Sequence, residues 1–250
     1  MNHRLYELYN RVIGIVQEQG VVELFKQSTH HLHNHYVAPK LPRTTANYNG
    51  IKVQAARYFD PYLSWRNKDL PNYESGIVSG LEEHVRPGDR IAIVGGGWGV
   101  TAVKAAQETG STGEVIVYEG SIQEVKHVED TIKKNDVQNR VEVIHSIVGP
   151  HISLRGKPGE ASQISPEELP ECDVLELDCE GSEIEILENL FIRPRAIVVE
   201  THGINGAPSS KVEDLLKNLS YSITSKQIAD KGNTEMCIEN DIYVLAAVQE

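Results

Sequence analysis

The run Ile91-Ala92-Ile93-Val94 leads straight into Gly95-Gly96-Gly97-Trp98-Gly99, and a helix-compatible segment, Val100 to Glu108, begins at the next residue. A β-branched apolar strand, a glycine turn and a helix in immediate succession constrain this part of the chain to an α/β unit. The missing side chains let backbone come close to a ligand. The helix start behind them offers unpaired amides to a polar or negative group. A dinucleotide fingerprint places Gly or Ala at the sixth position of the turn; here that position is Val100.

The spacing Gly95, Gly97, Gly99 resembles instead the first motif of class I S-adenosylmethionine-dependent methyltransferases. A second apolar run, Val115-Ile116-Val117-Tyr118, ends at Glu119, about 20 residues past the glycines, where this layout grips a ribose hydroxyl. The plainer reading of Glu119 is a solvated loop carboxylate; its place at a strand end favours the ribose role.

A chain of 250 residues holds one large domain or two small ones. A net charge of -12 argues against a phosphate-backbone binder, which presents a basic face. Cys172, Cys179 and Cys237 show neither metal nor disulfide spacing, which makes a reducing cytoplasm the expected location. No run is apolar and long enough to cross a bilayer, and the start lacks a secretory pattern.

Residues to about Tyr36 read as a helical arm, with Leu5, Leu8, Val12, Ile15 and Val16 near helical spacing. The arm packs on the main domain or, in the alternative, makes a peripheral membrane or partner contact, for which its few basic residues give little support. His30, His31, His33 and His35 read as a solvated, pH-sensitive patch rather than a metal site. Asn49-Gly50 signals a hairpin. Arg57, Tyr58, Phe59, Tyr62, Trp65 and Arg66 form either a sugar-stacking or anion-gripping lid or an ordinary packed loop. These features make residues 1–72 an arm-and-lid segment and residues 73–250 the main domain.

From Tyr73 onward helices and strands alternate. Helices are expected over Glu74 to His84, Ser121 to Asn135 and Ser182 to Leu190, and over a segment capped by Ser209 that runs to Leu219. Strands are expected at Val141 to His145, Val174 to Leu177, Ala196 to Val199, Tyr221 to Ile228 and Ile242 to Val248. The alternation predicts a mostly parallel sheet with helices on both faces. The last two strands, joined by the polar loop Ala229 to Asp241, predict an antiparallel closing hairpin.

Ligands in such sheets bind beyond the carboxyl ends of the strands. Those ends carry the glycines, Glu119, then His145, Ser146 and Ile147, then Asp178, Cys179, Glu180 and Gly181, and finally Glu200, Thr201 and His202. Asp178 and Glu200 sit at neighbouring ends, where a Mg²⁺ could bridge them, but no metal ligand is assigned.

Leu175-Glu176-Leu177-Asp178-Cys179-Glu180-Gly181-Ser182-Glu183 resembles the Asp-x-Glu-Gly-x-Glu turn of the FkbM family of methyltransferases. Val198-Val199-Glu200-Thr201-His202 resembles its Glu-x-His, and Tyr73-Glu74 an acidic position ahead of its first motif. The resemblance spans about Tyr73 to Leu245. It departs at Ile93, where the family commonly has an acidic residue that holds the cofactor's amino group, and at Glu176, where it often has lysine.

The resemblance implies a class I, Rossmann-like α/β fold and an O-methyltransferase that uses S-adenosylmethionine. The acceptor would be a hydroxyl or carboxyl of a sugar, glycan, lipid-linked sugar or related polar small molecule, with no nucleic-acid partner. Glu74, Gly95, Gly97, Gly99, Glu119, Ser146 and Asp178 are expected at the cofactor. Asp178, Glu180 and His202 are expected at the acceptor, where a base helps remove a hydroxyl proton; imidazole titrates in a suitable range. Two rivals stand beside this reading: an NAD-dependent oxidoreductase, and a non-catalytic scaffold with a decayed cofactor site, which Ile93 keeps open.

Overall fold

The computed structural model of the chain describes residues 43–57, 69–149 and 156–250. Two compact units divide the chain, one of residues 1–44 and 55–67 and one of residues 45–54 and 68–250. The expected N-terminal helical arm, the cluster from His30 to His35 and the aromatic residues from Tyr58 to Trp65 lie outside the described residues, as does Arg66.

Strands β1 (Arg43–Tyr48) and β2 (Ile51–Arg57) form a two-stranded sheet. Asn49 and Gly50 between them have φ of 47° and 80°. Two consecutive positive φ angles are what a type I′ hairpin turn requires, and Asn-Gly supplies them at low cost.

The larger unit is an eight-stranded sheet in the order β6-β5-β4-β3-β7-β8-β10-β9. Its strands are β3 (Arg90–Val94), β4 (Glu114–Glu119), β5 (Val141–Val148) and β6 (Ser162–Ile164). They continue with β7 (Val174–Leu177), β8 (Ala196–Glu200), β9 (Tyr221–Ile228) and β10 (Tyr243–Gln249). β10 pairs antiparallel with both β8 and β9, and the other pairings are parallel. The helices are α1 (Ser75–His84), α2 (Val100–Thr109), α3 (Ile122–Lys134), α4 (Glu183–Glu188), α5 (Ser209–Asn218) and α6 (Thr234–Glu239). Parallel strands are covered on both faces, which is why β3, β4, β7 and β8 read as apolar runs rather than alternating ones. Ile91, Ile93, Val115, Val117, Leu175, Leu177, Ile197 and Val199 are all inaccessible to solvent.

Four expectations need correction. β5 runs on to Val148, and Ser146-Ile147-Val148 pair with Ser162-Gln163-Ile164 of β6, a strand absent from the sequence reading. That pairing partner comes from beyond a loop, so no local pattern announces it. The segment from Ala229 to Asp241 is not simply a loop: it contains α6, whose six residues bury only Cys237 and therefore carry no apolar periodicity. Ser209 does not cap α5; it is the first helical residue, after Pro208. The cap is supplied by Asp241, which accepts from the Ser209 amide at 2.8 Å and the Ser209 hydroxyl at 2.7 Å.

Among the described residues no helix is long and apolar enough to cross a membrane.

Candidate active site

The glycine turn follows β3 as expected, but its four glycines serve different ends. A Cβ on Gly95 would overlap the backbone carbonyl oxygen of Asp178, at the end of the adjacent β7. One on Gly96 would sit 2.7 Å from Val128, and one on Gly99 2.9 Å from the Val128 Cα in α3. These three glycines are required by packing within the protein. At Gly97 the nearest atom to a Cβ is the Glu74 Oε1, at 3.7 Å. Gly97 is thus the glycine of the turn whose Cβ direction the protein leaves open to a ligand. Trp98 turns aside and stacks on His127, with ring centroids 4.2 Å apart.

Glu119 ends β4, buried beneath this turn. Its Oε2 accepts from the Gly96 and Gly97 amides at 2.8 and 3.2 Å, and its Oε1 from the Ser121 amide at 2.7 Å. Burial pushes its carboxyl above the usual range, against the pull of these three donors. Two lone pairs on each oxygen leave Oε1 room for one further hydroxyl. Its first task is therefore to shape the glycine turn; a ribose contact would be added to that.

Glu74, Asp178, Glu180, Glu200 and His202 line a cavity of about 320 Å³, together with residues that include Tyr73, Asp230 and Met236. Glu74 precedes α1, Asp178 and Glu180 follow β7, Glu200 ends β8, and His202 lies two residues beyond. The sequence thus identified five of the polar groups around this cavity. It missed Asp230, which comes from the segment read as a featureless loop.

It also assigned no role to Glu183, although this residue closes the Asp-x-Glu-Gly-x-Glu turn. Glu183 is wholly buried. Its Oε1 lies 2.9 Å from His202 Nδ1, and its carboxylate accepts from the Cys179 and Gly181 amides at 3.1 and 2.9 Å. Burial raises the Glu183 pKa, but His202 and the amide donors outweigh it and leave the group below the usual carboxylate range. The other ring nitrogen of His202, Nε2, stands 3.5 Å from Asp178, 3.6 Å from Glu200 and 3.7 Å from Glu180. Burial lowers the His202 pKa, yet Glu183 and the surrounding carboxylates carry it up to about 9. That value lies above the neutral range expected of His202 from its residue type.

Ser146 is a second correction. It lies inside β5 rather than beyond it and is 1% exposed. Its hydroxyl donates to the Ser162 carbonyl at 3.1 Å, which turns it toward β6. Ile93 is also inaccessible, and it pairs in register with Glu176 on β7. Glu176 is fully buried beside Thr101, and burial together with the Asp178 and Glu74 carboxylates carries its pKa well above the usual range.

Two of the cavity carboxylates sit on unusual backbone. Glu74 and Glu180 have φ of 49° and 55°, in the left-handed region that L-residues other than Asn and Asp rarely enter. Glu180→Gly is expected to be about 1 kcal/mol more stable than Glu180→Ala, because both remove the carboxylate and only alanine retains the strain. Thermal melts of the two variants check this; equal stability would show that the backbone at 180 is relaxed.

No protein-family profile matches this sequence, and no curated protein matches it. Among solved structures, the Pyrococcus horikoshii protein PH0793 is similar with a TM-score of 0.51 and 12% identity, over 84% of this chain and 72% of that one. Precorrin-6y C5,15-methyltransferase of Geobacter metallireducens matches with a TM-score of 0.46 and 16% identity, over 71% and 87%. An O-methyltransferase of Bacillus cereus, solved with S-adenosylhomocysteine, matches with a TM-score of 0.43 and 16% identity, over 69% and 79%. The strand order and the first of these likenesses establish a Rossmann-like α/β fold, a mostly parallel sheet with an antiparallel β10.

Proposed function

We propose that this chain is an S-adenosylmethionine-dependent O-methyltransferase of the FkbM type, acting on a hydroxyl or carboxyl of a sugar, a lipid-linked sugar or a similar polar small molecule. In this reading residues 73–250 form the catalytic domain and residues 1–72 an arm and lid. The observation that carries it is a juxtaposition. The open Gly97 lies beside Glu74, and Glu74 shares one cavity with Asp178, Glu180, Glu200 and His202.

Methyl transfer is an in-line displacement. The cofactor supplies the electrophilic carbon, and the protein supplies alignment and charge. A cavity lined by carboxylates favours a sulfonium cation, since opposite charges attract strongly where walls exclude water. Gly97 lets the chain approach the cofactor, and Glu119 holds the turn in shape. Asp178 and Glu180 face the acceptor end, where a carboxylate receives the proton of a hydroxyl. Against a dinucleotide reading, Val100 packs fully buried where such sites need glycine or alanine.

Calorimetric titration with S-adenosylhomocysteine, S-adenosylmethionine and NAD tests the proposal. The first two are expected to bind in the micromolar range, with NAD silent. Gly97→Asn, which tolerates a φ of 47°, is expected to weaken binding at least about tenfold with little change in melting temperature. Silence toward S-adenosylhomocysteine in the folded wild type would overturn the proposal and favour a scaffold role.

A further inference from the structure

His202 makes two contrasting sets of contacts with one ring. On the Nδ1 side, Glu183 sits at hydrogen-bond distance, 2.9 Å. On the Nε2 side, three carboxylates stand at 3.5, 3.6 and 3.7 Å, and none closes to a hydrogen bond. A proton shared between imidazole and carboxylate draws the pair to about 2.7–2.9 Å. Ligand atoms bound about 2.1 Å from one ion, at tetrahedral to octahedral angles, lie about 3.0–3.5 Å from each other. The Nε2 side has close to the second spacing. The His202 side chain is 6% exposed, and the three carboxylates around this nitrogen line the cavity with it.

We propose that Asp178, Glu200 and His202 bind one divalent cation of the Mn²⁺ class, with Glu183 as the residue that positions the histidine. One ligand atom from each of the three lies within 4.8 Å of the others. Two carboxylates and one imidazole make a mostly hard donor set that suits Mn²⁺, with water completing the shell. Glu183 holds the far ring nitrogen as carboxylates do behind metal-bound histidines, which directs Nε2 at the ion. It is held in turn by the Cys179 and Gly181 amides, so the whole support is rigid.

The charge balance points the same way. Five carboxylates, of Glu74, Asp178, Glu180, Glu200 and Asp230, line the cavity against a single histidine. A dication would compensate that crowding. Its remaining coordination positions face the cavity, where an acceptor oxygen could replace a water; that extension rests on the methyltransferase reading, whereas the cation site does not.

The test is titration of the chelator-treated full chain with MnCl₂ alone, following free Mn²⁺ by electron paramagnetic resonance. One saturable site per chain is expected. Asp178→Asn and Glu200→Gln should each weaken it at least about 100-fold, and Glu183→Gln by about 10- to 100-fold. The control Glu129→Gln, on α3 and outside the cavity lining, should leave it unchanged. Electron spin echo modulation of the bound ion should show a coupled nitrogen in the wild type, and this holds as a test even if a variant fails to fold. Absence of saturable binding in folded wild type, absence of the coupled nitrogen, or equal affinity in Glu200→Gln would overturn the proposal. Calorimetry with S-adenosylhomocysteine is read separately. Mn²⁺ binding without it keeps the cation site and removes the methyltransferase, and the reverse result does the opposite.

Discussion

Gly95→Ala is expected to abolish folding or to lower the melting temperature by about 10–15 °C, the largest effect of any substitution in the glycine turn. The Gly95 amide donates to the Tyr118 carbonyl at 2.9 Å, and the Asp178 amide donates to the Val94 carbonyl at 2.9 Å. The turn is therefore pinned between the ends of β4 and β7. A methyl group at 95 has nowhere to go but into the Asp178 carbonyl, and a φ of 103° adds strain for any L-residue. Relief requires β7 to move away from β3, which breaks the pairing of Val94 with Leu177 at the centre of the sheet. Several lost backbone interactions together exceed about 4 kcal/mol, the range of the rarest single-substitution effects. Circular-dichroism melts decide the matter. An alanine variant of wild-type stability that failed only to bind S-adenosylhomocysteine would show that Gly95 serves the ligand after all.

Glu119→Gln is expected to lose stability and cofactor binding together. Its two oxygens receive three amides from opposite sides. A glutamine carbonyl can serve only one side, so its NH₂ must face at least one buried amide donor. Each amide left without an acceptor costs about 1–3 kcal/mol, which corresponds to a fall of roughly 2–12 °C for a chain of this size. Glu119→Ala orphans all three and should fall further. The Gly96 and Gly97 amides then no longer hold the turn, and affinity for S-adenosylhomocysteine should drop at least about tenfold, equivalent to 1.4 kcal/mol. A Gln variant that melts like wild type yet binds no cofactor would mean that Glu119 grips the ribose and does not shape the turn. Paired melts and titrations separate the two roles.

The parts of the fold legible in the sequence are those with local causes. The type I′ turn follows from Asn49-Gly50 alone, and the buried parallel strands from runs such as Ile91 to Val94. The start of α3 was readable to within one residue: Ser121, read as its first residue, is its cap, acting on an amide of its own first turn. Where a partner arrives from afar, the reading failed. β6 exists only because the end of β5 offers it a ladder, and Asp241 caps α5 from across the β9–β10 connection. α6 is too short to declare a period.

The site divides on the same line. That acidic groups gather beyond the strand ends was readable, because each strand carries its own terminus and a parallel sheet places those termini at one edge. Residue types and spacing thus determined the fold class and five of the polar residues around the cavity. Tertiary structure alone decided their tasks. It made Gly95 a packing glycine and Gly97 the open one, turned Ser146 toward β6, and set Glu183 behind His202. It also left Nε2 about 3.5 Å from its carboxylates rather than bonded to one. Those outcomes depend on contacts between residues well separated along the chain, and a linear pattern carries no such distances.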